Sequence, residues 1–418
     1  MAYLCLIAYV AAIYVRPAEI FSSWAGFPFV EVLTSVAFAV AGFSYLAEPR
    51  KFWDLPHDKF VLGVWFAIVV SNLSSGWLGG AFQGFSHFLR MAFYYFLMRF
   101  TIRDHRQFRG FVYTLIAANV FLAMSGIVQF HTGTGWGGVP LNQGRIQGSG
   151  IFNDPNDLAF TLVMVVPFLL AEATDTARGL TSRLVALGLL APIVCAIFYT
   201  DSRGGMVGLG VVLTAHSFRR YGRMAAAVTA GVLVAAALLG GPSRLSMLDS
   251  GEESAQMRIQ AWGAALVMFK SDPLFGVGYD RFSEFHEIVA HNSFVHTFAE
   301  LGILGAFFWV GMCYWLVKGL LPRRSQSAPI EIDRFEVPVL LSVVGVLASS
   351  CFLSQQYGVV LFTLVGMGAC YVSIAKAHGA DIEARTSPRE VQHIALITLA
   401  GIAATYIAVS FLSRPSGP

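Results

Sequence analysis

Val339-Leu340-Leu341-Ser342-Val343-Val344-Gly345-Val346-Leu347-Ala348-Ser349 carries no charge and is apolar on every face. A membrane β-strand alternates apolar and polar residues, and a helix at a water surface keeps one polar stripe; this stretch does neither. It is one of many. Apolar runs of about 20 residues, long enough to cross a hydrocarbon core as helix, recur along the chain. Of its 418 residues 56% are apolar and 13% charged, with a mean hydropathy of +0.63. Water-soluble domains carry about 25% charge. Lipid offers no partner to an open backbone, so the sequence predicts an all-α, polytopic transmembrane helical bundle.

Working outward, the pattern predicts twelve to thirteen spans, the full set being 3–15, 28–47, 60–78, 82–100, 109–130, 157–174, 184–200, 204–218, 223–240, 293–317, 337–354, 357–376 and 394–412. With a cytoplasmic N-terminus, nineteen of the 28 Lys and Arg fall in inside loops and eight outside, Arg90 remaining within a span. That asymmetry follows the positive-inside rule. Residues 1–15 lack a basic leader and a small-residue cleavage site, so they read as a retained first span. The net charge of +3 is spread over short clusters, which does not suggest nucleic-acid binding. Cys5, Cys195, Cys313, Cys351 and Cys370 all lie in apolar segments with no paired spacing.

Two outside segments, 131–156 and 241–292, are too long to be mere connectors. The second predicts an amphipathic helix, with Ser250-Gly251-Glu252-Glu253 as a capping box, Met257, Ala261, Ala264, Ala265, Met268 and Phe269 on one face, and Asp272-Pro273 as its stop. The organisation expected is a bundle over 1–240, a small periplasmic helical subdomain over 241–292 and the last spans over 293–418.

Basic residues on the outside run against the positive-inside rule and ask for a reason. Arg145 lies in Gln143-Gly144-Arg145-Ile146-Gln147-Gly148, Arg203 in Asp201-Ser202-Arg203-Gly204-Gly205, and Arg258 on the amphipathic helix. Each alone is as well explained by a salt bridge or a lipid phosphate. Converging beside glycines, they would grip a diphosphate bidentately. His291, where the long loop meets a span, has an imidazole suited to general-base work on a hydroxyl; a lone His there is more often structural. Asn292, His296 and Glu300 form one stripe of the following helix, and Glu300 inside a span needs a partner, His296 being the nearest. Arg90, one turn from His87, is costly in lipid and suggests a polar cavity.

Metal readings do poorly. His286 and His291 are five residues apart, so their rings diverge by about 140° around a helix. Asp154-Pro155-Asn156-Asp157 could hold a cation, but Asp at the N-cap and Pro at the first helical position describe a helix start better. Gly276-Val277-Gly278-Tyr279 is a glycine-rich turn without the helix start of a phosphate loop. No metal ligand and no cofactor is assigned.

Taken in order, Gly150-Ile151-Phe152-Asn153-Asp154-Pro155-Asn156-Asp157-Leu158-Ala159, Asp201-Ser202-Arg203-Gly204-Gly205, Arg258 with Trp262, Asp272-Pro273-Leu274-Phe275-Gly276-Val277-Gly278, His291-Asn292 and Glu300-Leu301-Gly302-Ile303-Leu304-Gly305 resemble the O-antigen ligase and O-antigen polymerase superfamily of bacterial inner membranes. The resemblance covers about 150–305 and does not distinguish branches. It implies a metal-independent glycosyltransferase that moves a finished glycan from undecaprenyl diphosphate to an acceptor at the periplasmic face. Under it Arg203 and Arg258 correspond to the family's arginines and His291 to its essential histidine; Arg145 is added from its position alone. A bundle of twelve spans is usual for the family, which questions one of the thirteen. Substrate-binding expectations fall on Arg145, Asn292, Arg90, Glu300 and His296.

The partners so implied are the undecaprenyl-diphosphate-linked glycan, a lipid A-core or other hydroxyl acceptor, and membrane lipid. Ligation to lipid A-core is the first reading; polymerisation and protein O-glycosylation share its chemistry and differ in acceptor. A lipid-linked sugar transporter is the rival of another class, but transporters concentrate polar residues at mid-membrane in two related halves.

Overall fold

The computed structural model describes all residues except 25, 48–52, 240–245, 322–329, 381, 383–384 and 413–418. Arg244 and Arg414, assigned above to the outside, lie outside the described residues, as do Arg50, Lys51, Arg323 and Arg324 of the inside loops. The fold is all-α. Its principal helices are α1 (Ala2–Val15), α2 (Phe29–Ala47), α3 (Pro56–Ser74), α4 (Leu78–Thr101), α5 (His105–Thr132), α6 (Pro155–Thr174), α7 (Leu180–Tyr199), α8 (Arg203–Tyr221), α9 (Arg223–Leu239), α10 (Ser246–Ser271), α11 (Ser293–Leu320), α12 (Ile330–Ser350), α13 (Val359–Ala377) and α14 (Pro388–Leu412).

Every expected span contains helix. Seven segments among the described residues are long and apolar enough to cross a membrane by length and composition: Ala2–Ile20, α5, α6, α7, α11, α13 and α14. The chain is therefore a multi-pass membrane protein. α6 and α13 are apolar all round and lie at the centre, where Ser342 of α12 donates to the Met164 carbonyl at 2.6 Å. α14 is equally apolar, yet Leu396, Leu399, Tyr406 and Phe411 are exposed, as on a face turned to hydrocarbon.

The two ends of the bundle differ. At one, Arg99 donates to Asp54 at 2.9 Å and stands 3.6 Å from buried Asp58, which also accepts from Tyr95 at 2.6 Å; Lys318 meets Glu390 at 2.8 Å. Partners within the bundle are what make buried charge tolerable. At the other end begin α6, α8 and α11, each with a side-chain N-cap: Asp154, Ser202 and Asn292.

Three expectations need correction. The capping box at Ser250 is not a helix start, because α10 begins at Ser246. No Pro interrupts 246–250, and a helix once nucleated gains a hydrogen bond per added residue. Ser271 does end it, before Asp272-Pro273. Of its expected apolar face, Ala265 and Met268 are buried in a cluster with α11, Ala261 is buried and Met257 is exposed. Second, α12 stops at Ser350 and α13 starts at Val359, leaving 351–358 as a loop where the expected spans left only 355–356 between them. That loop is held by Ser293, whose hydroxyl donates to the Leu353 carbonyl at 2.7 Å and accepts from the Gln355 amide at 3.0 Å.

Third, α11 is broken within its expected span, Gly302 having φ 63° and ψ −162°. The loop after α10 enters the break. Val277 N–H donates to the Ala299 carbonyl, Gly278 N–H to that of Glu300, Ile303 N–H to that of Pro273 and Leu304 N–H to that of Leu274, at 2.9–3.2 Å. A broken helix at membrane depth is tolerated only when other backbone repairs it, and this loop does so.

Candidate active site

The Asp154-Pro155 cap reading holds: the Asp154 carboxylate accepts from Asn156 N–H at 2.7 Å, with Pro155 opening α6. Asn156 then links two motifs. Its side-chain oxygen accepts from Ser202 Oγ at 2.8 Å and from the Arg145 guanidinium at 3.2 Å. Arg145 also donates to the Thr200 carbonyl at 2.7 Å. The outer loop, the start of α6 and the start of α8 thus form one knot. Arg145 is tied into it, so this guanidinium acts first as a brace.

Beyond the knot, the chain turns sharply at Asp201, φ 47°, and α8 opens on Arg203. Gly204 and Gly205 let α8 approach its neighbours: a Cβ at Gly205 would overlap Ala159 of α6, and one at Gly204 would press on Phe352 and Leu353. Arg203 is exposed and, among the described residues, has neither hydrogen bond nor ion pair. Arg258 faces it from α10, similarly unpaired, and is held below the usual arginine range by burial and by the charge of Arg203. A cation at a helix N-terminus beside a second cation is unfavourable until an anion arrives.

His291 completes the group. Trp262 of α10 donates to the Ala290 carbonyl at 2.8 Å, fixing the residue before it. His291 itself takes φ 47°, a left-handed conformation unusual for a side chain with a Cβ. Its pKa is lowered, first by burial, then by Arg258 of α10 and by His296 of α11; Asp154 at the start of α6 pulls the other way. The imidazole is accordingly neutral near neutral pH, as a general base must be. Arg258→Gln removes the nearest repulsion of the imidazolium, so the His291 pKa rises. The acid limb of the kcat/KM–pH profile should move upward. An unmoved limb would show that His291 does not titrate in catalysis.

The remaining expected residues divide. Asn292 caps α11, accepting from Phe294 N–H and Val295 N–H at 3.1 Å, and stands at the mouth of a cavity of about 660 Å³. That groove runs between α11, α12 and α14 past Phe294, Trp309, Cys313 and Leu347 to Lys318. His296 and Glu300 form the expected pair, Nε2 to Oε1 at 3.0 Å, both buried, and Glu300 also accepts from Phe282 N–H at 3.3 Å. They hold the loop that repairs α11. Arg90 is exposed on α4 rather than enclosed in a polar cavity.

Sequence reasoning missed Gln355, whose side-chain amide donates to Asp157 while its backbone N–H reaches Ser293. It falls in the two-residue connector left between the expected spans 337–354 and 357–376, where no local pattern marks it. Asn156 and Ser202 were quoted within motifs but given no role; a polar residue beside a helix cap was the available signal. Arg16 stands against Gly150, where a Cβ would overlap its guanidinium.

Among curated proteins none matches the chain. Residues 186–310, which supply Arg203, Arg258, His291 and Glu300, are similar to the family model described as O-antigen ligase.

Proposed function

We propose that the chain is an inverting glycosyltransferase of the bacterial inner membrane, transferring a glycan from undecaprenyl diphosphate to an acceptor hydroxyl at the periplasmic face, with the lipid A-core sugar as acceptor. What supports the reading is a pair of guanidinium groups, Arg203 and Arg258, with no bonding partner among the described residues, close to His291, whose chain neighbour Asn292 lines an apolar groove. An amphiphile with an anionic head and a hydrocarbon tail matches both halves of that arrangement. The excess of basic residues in the loops at the opposite end supports an orientation with the Arg203 end in the periplasm.

In the reaction the diphosphate lies between Arg203 and Arg258 and the polyprenyl chain enters the groove from Asn292. His291 takes the proton of the acceptor hydroxyl as its oxygen bonds to the anomeric carbon. The bond from that carbon to the phosphate oxygen breaks, its electron pair leaves with undecaprenyl diphosphate, and the guanidinium groups receive the developing charge. Two cations already aimed at the leaving group need no reorganisation at that moment. The imidazolium then returns its proton to water. Attack opposite the leaving group inverts the anomeric centre.

The test uses purified protein in nanodiscs with synthetic undecaprenyl-diphosphate glycan and three acceptors: lipid A-core, a second donor glycan and a serine peptide. Undecaprenyl diphosphate should be released only with the correct acceptor, and NMR of the product should show inverted configuration. Retention at the anomeric carbon would overturn the one-step mechanism. A preference for donor glycan or peptide would make the chain a polymerase or a protein O-oligosaccharyltransferase, and sugar movement without released carrier would make it a transporter.

A further inference from the structure

The bundle end opposite Arg203 holds a second charged cavity that the transfer reaction does not use. Two adjoining spaces of about 340 Å³ and about 70 Å³ share Glu172, Arg178, Arg334 and Pro338 as walls. They lie where the start of α5, the end of α6, the end of α8 and the start of α12 meet. Five arginines line them: Arg109, Arg178, Arg219, Arg220 and Arg334.

Among the described residues only one of these cations is neutralised. Arg178 bonds Glu172 at 2.8 Å and stands 3.7 Å from Asp175, which occupies both carboxylates in the walls. Arg220 donates to the Thr174 carbonyl at 2.9 Å, and His216 meets the Thr174 hydroxyl at 3.3 Å; neither contact supplies an anion. Arg109, Arg219 and Arg334 have no hydrogen bond or ion pair among the described residues. Arg178 Nε is buried without a hydrogen-bond partner. Deeper in, the walls turn apolar at Val112, Ile116, Phe168 and Leu341.

Four guanidinium groups without a counter-charge among the described residues, around an apolar-backed space, describe a receptor for a phosphate carried on hydrocarbon. We propose that this cavity binds the phosphodiester of an anionic glycerophospholipid from the adjacent leaflet, which is the cytoplasmic one on the orientation given above. The apolar wall favours a lipid over free phosphate, which would leave that surface uncovered. The site is separate from the transfer chemistry, so its occupancy ties together α5, α6, α8 and α12 rather than supplying a substrate.

The full-length protein is placed in phosphatidylcholine nanodiscs with phosphatidylglycerol titrated in, and bound lipid is read by native mass spectrometry alongside the unfolding midpoint. Phosphatidylglycerol should be retained preferentially and should raise the midpoint. The Arg219→Gln/Arg334→Gln variant should bind it about 30-fold more weakly, each basic residue contributing about fivefold near an anionic lipid surface. Arg109→Gln alone should lose about fivefold, and serves if the double variant does not fold. Inorganic phosphate at millimolar concentration should leave the midpoint unchanged; an equal shift would reassign the site to free anion. Equal retention of both lipids by wild type and variants would overturn the proposal.

Discussion

Arg203→Gln should lower kcat by about 10²–10³-fold, the usual loss when one preorganised donor to a developing anion is removed. It should do so without unfolding the protein. Arg203 is exposed, opens α8 and has no bonding partner among the described residues, so the fold gains nothing from its charge. Its position is unfavourable twice over, since the N-terminus of a helix carries partial positive charge and Arg258 repels it. The unfolding midpoint of Arg203→Gln should accordingly be unchanged or slightly raised. Arg203→Lys keeps the charge but not the planar fork, and should fall between the two. Midpoints read by thermal unfolding in detergent, with turnover read as released undecaprenyl diphosphate, separate the cases. A variant that is destabilised and equally active would make Arg203 structural.

Gly276→Ala should be the most damaging small substitution in the loop that repairs α11. Gly276 has φ 71°, where a Cβ costs roughly 1–2 kcal/mol, and that Cβ would overlap the Glu300 carbonyl group. Crowding of this kind in packed interior costs a further 1–3 kcal/mol or so. A loss of about 2–5 kcal/mol approaches the whole stability of many domains. Folded protein recovered by size exclusion after heating should fall sharply, and the His296–Glu300 pair should be displaced with it. Gly188→Ala is the control: this glycine lies in α7 with nothing within 4 Å of a Cβ, and its replacement should be neutral or mildly stabilising. Equal melting of the two variants would refute the account of the joint.

The two predictions rest on information of different origin. Arg203 was legible because a cation on the sparsely basic side of a membrane protein contradicts a strong rule, and each such contradiction asks for a reason. His291 was legible for a similar reason, as a titratable ring where a long loop meets a span. Which arginines remain free was not legible. Arg145 shares the outer face with Arg203, yet Thr200 and Asn156 take up its guanidinium. Arg90 was expected in a polar cavity and is exposed on α4. No spacing in the sequence distinguishes a spent guanidinium from an available one, because the partner lies tens of residues away.

Hydropathy alone determined the all-α bundle and which segments are helical, since lipid forces every long apolar segment to satisfy its own backbone. The break in α11 was beyond that reasoning. Glu300-Leu301-Gly302 looks like uninterrupted helix, and Gly276-Val277-Gly278 like a surface turn, until each supplies the hydrogen bonds the other lacks. Only the tertiary structure could decide this, because the backbone groups that complete one segment belong to the other.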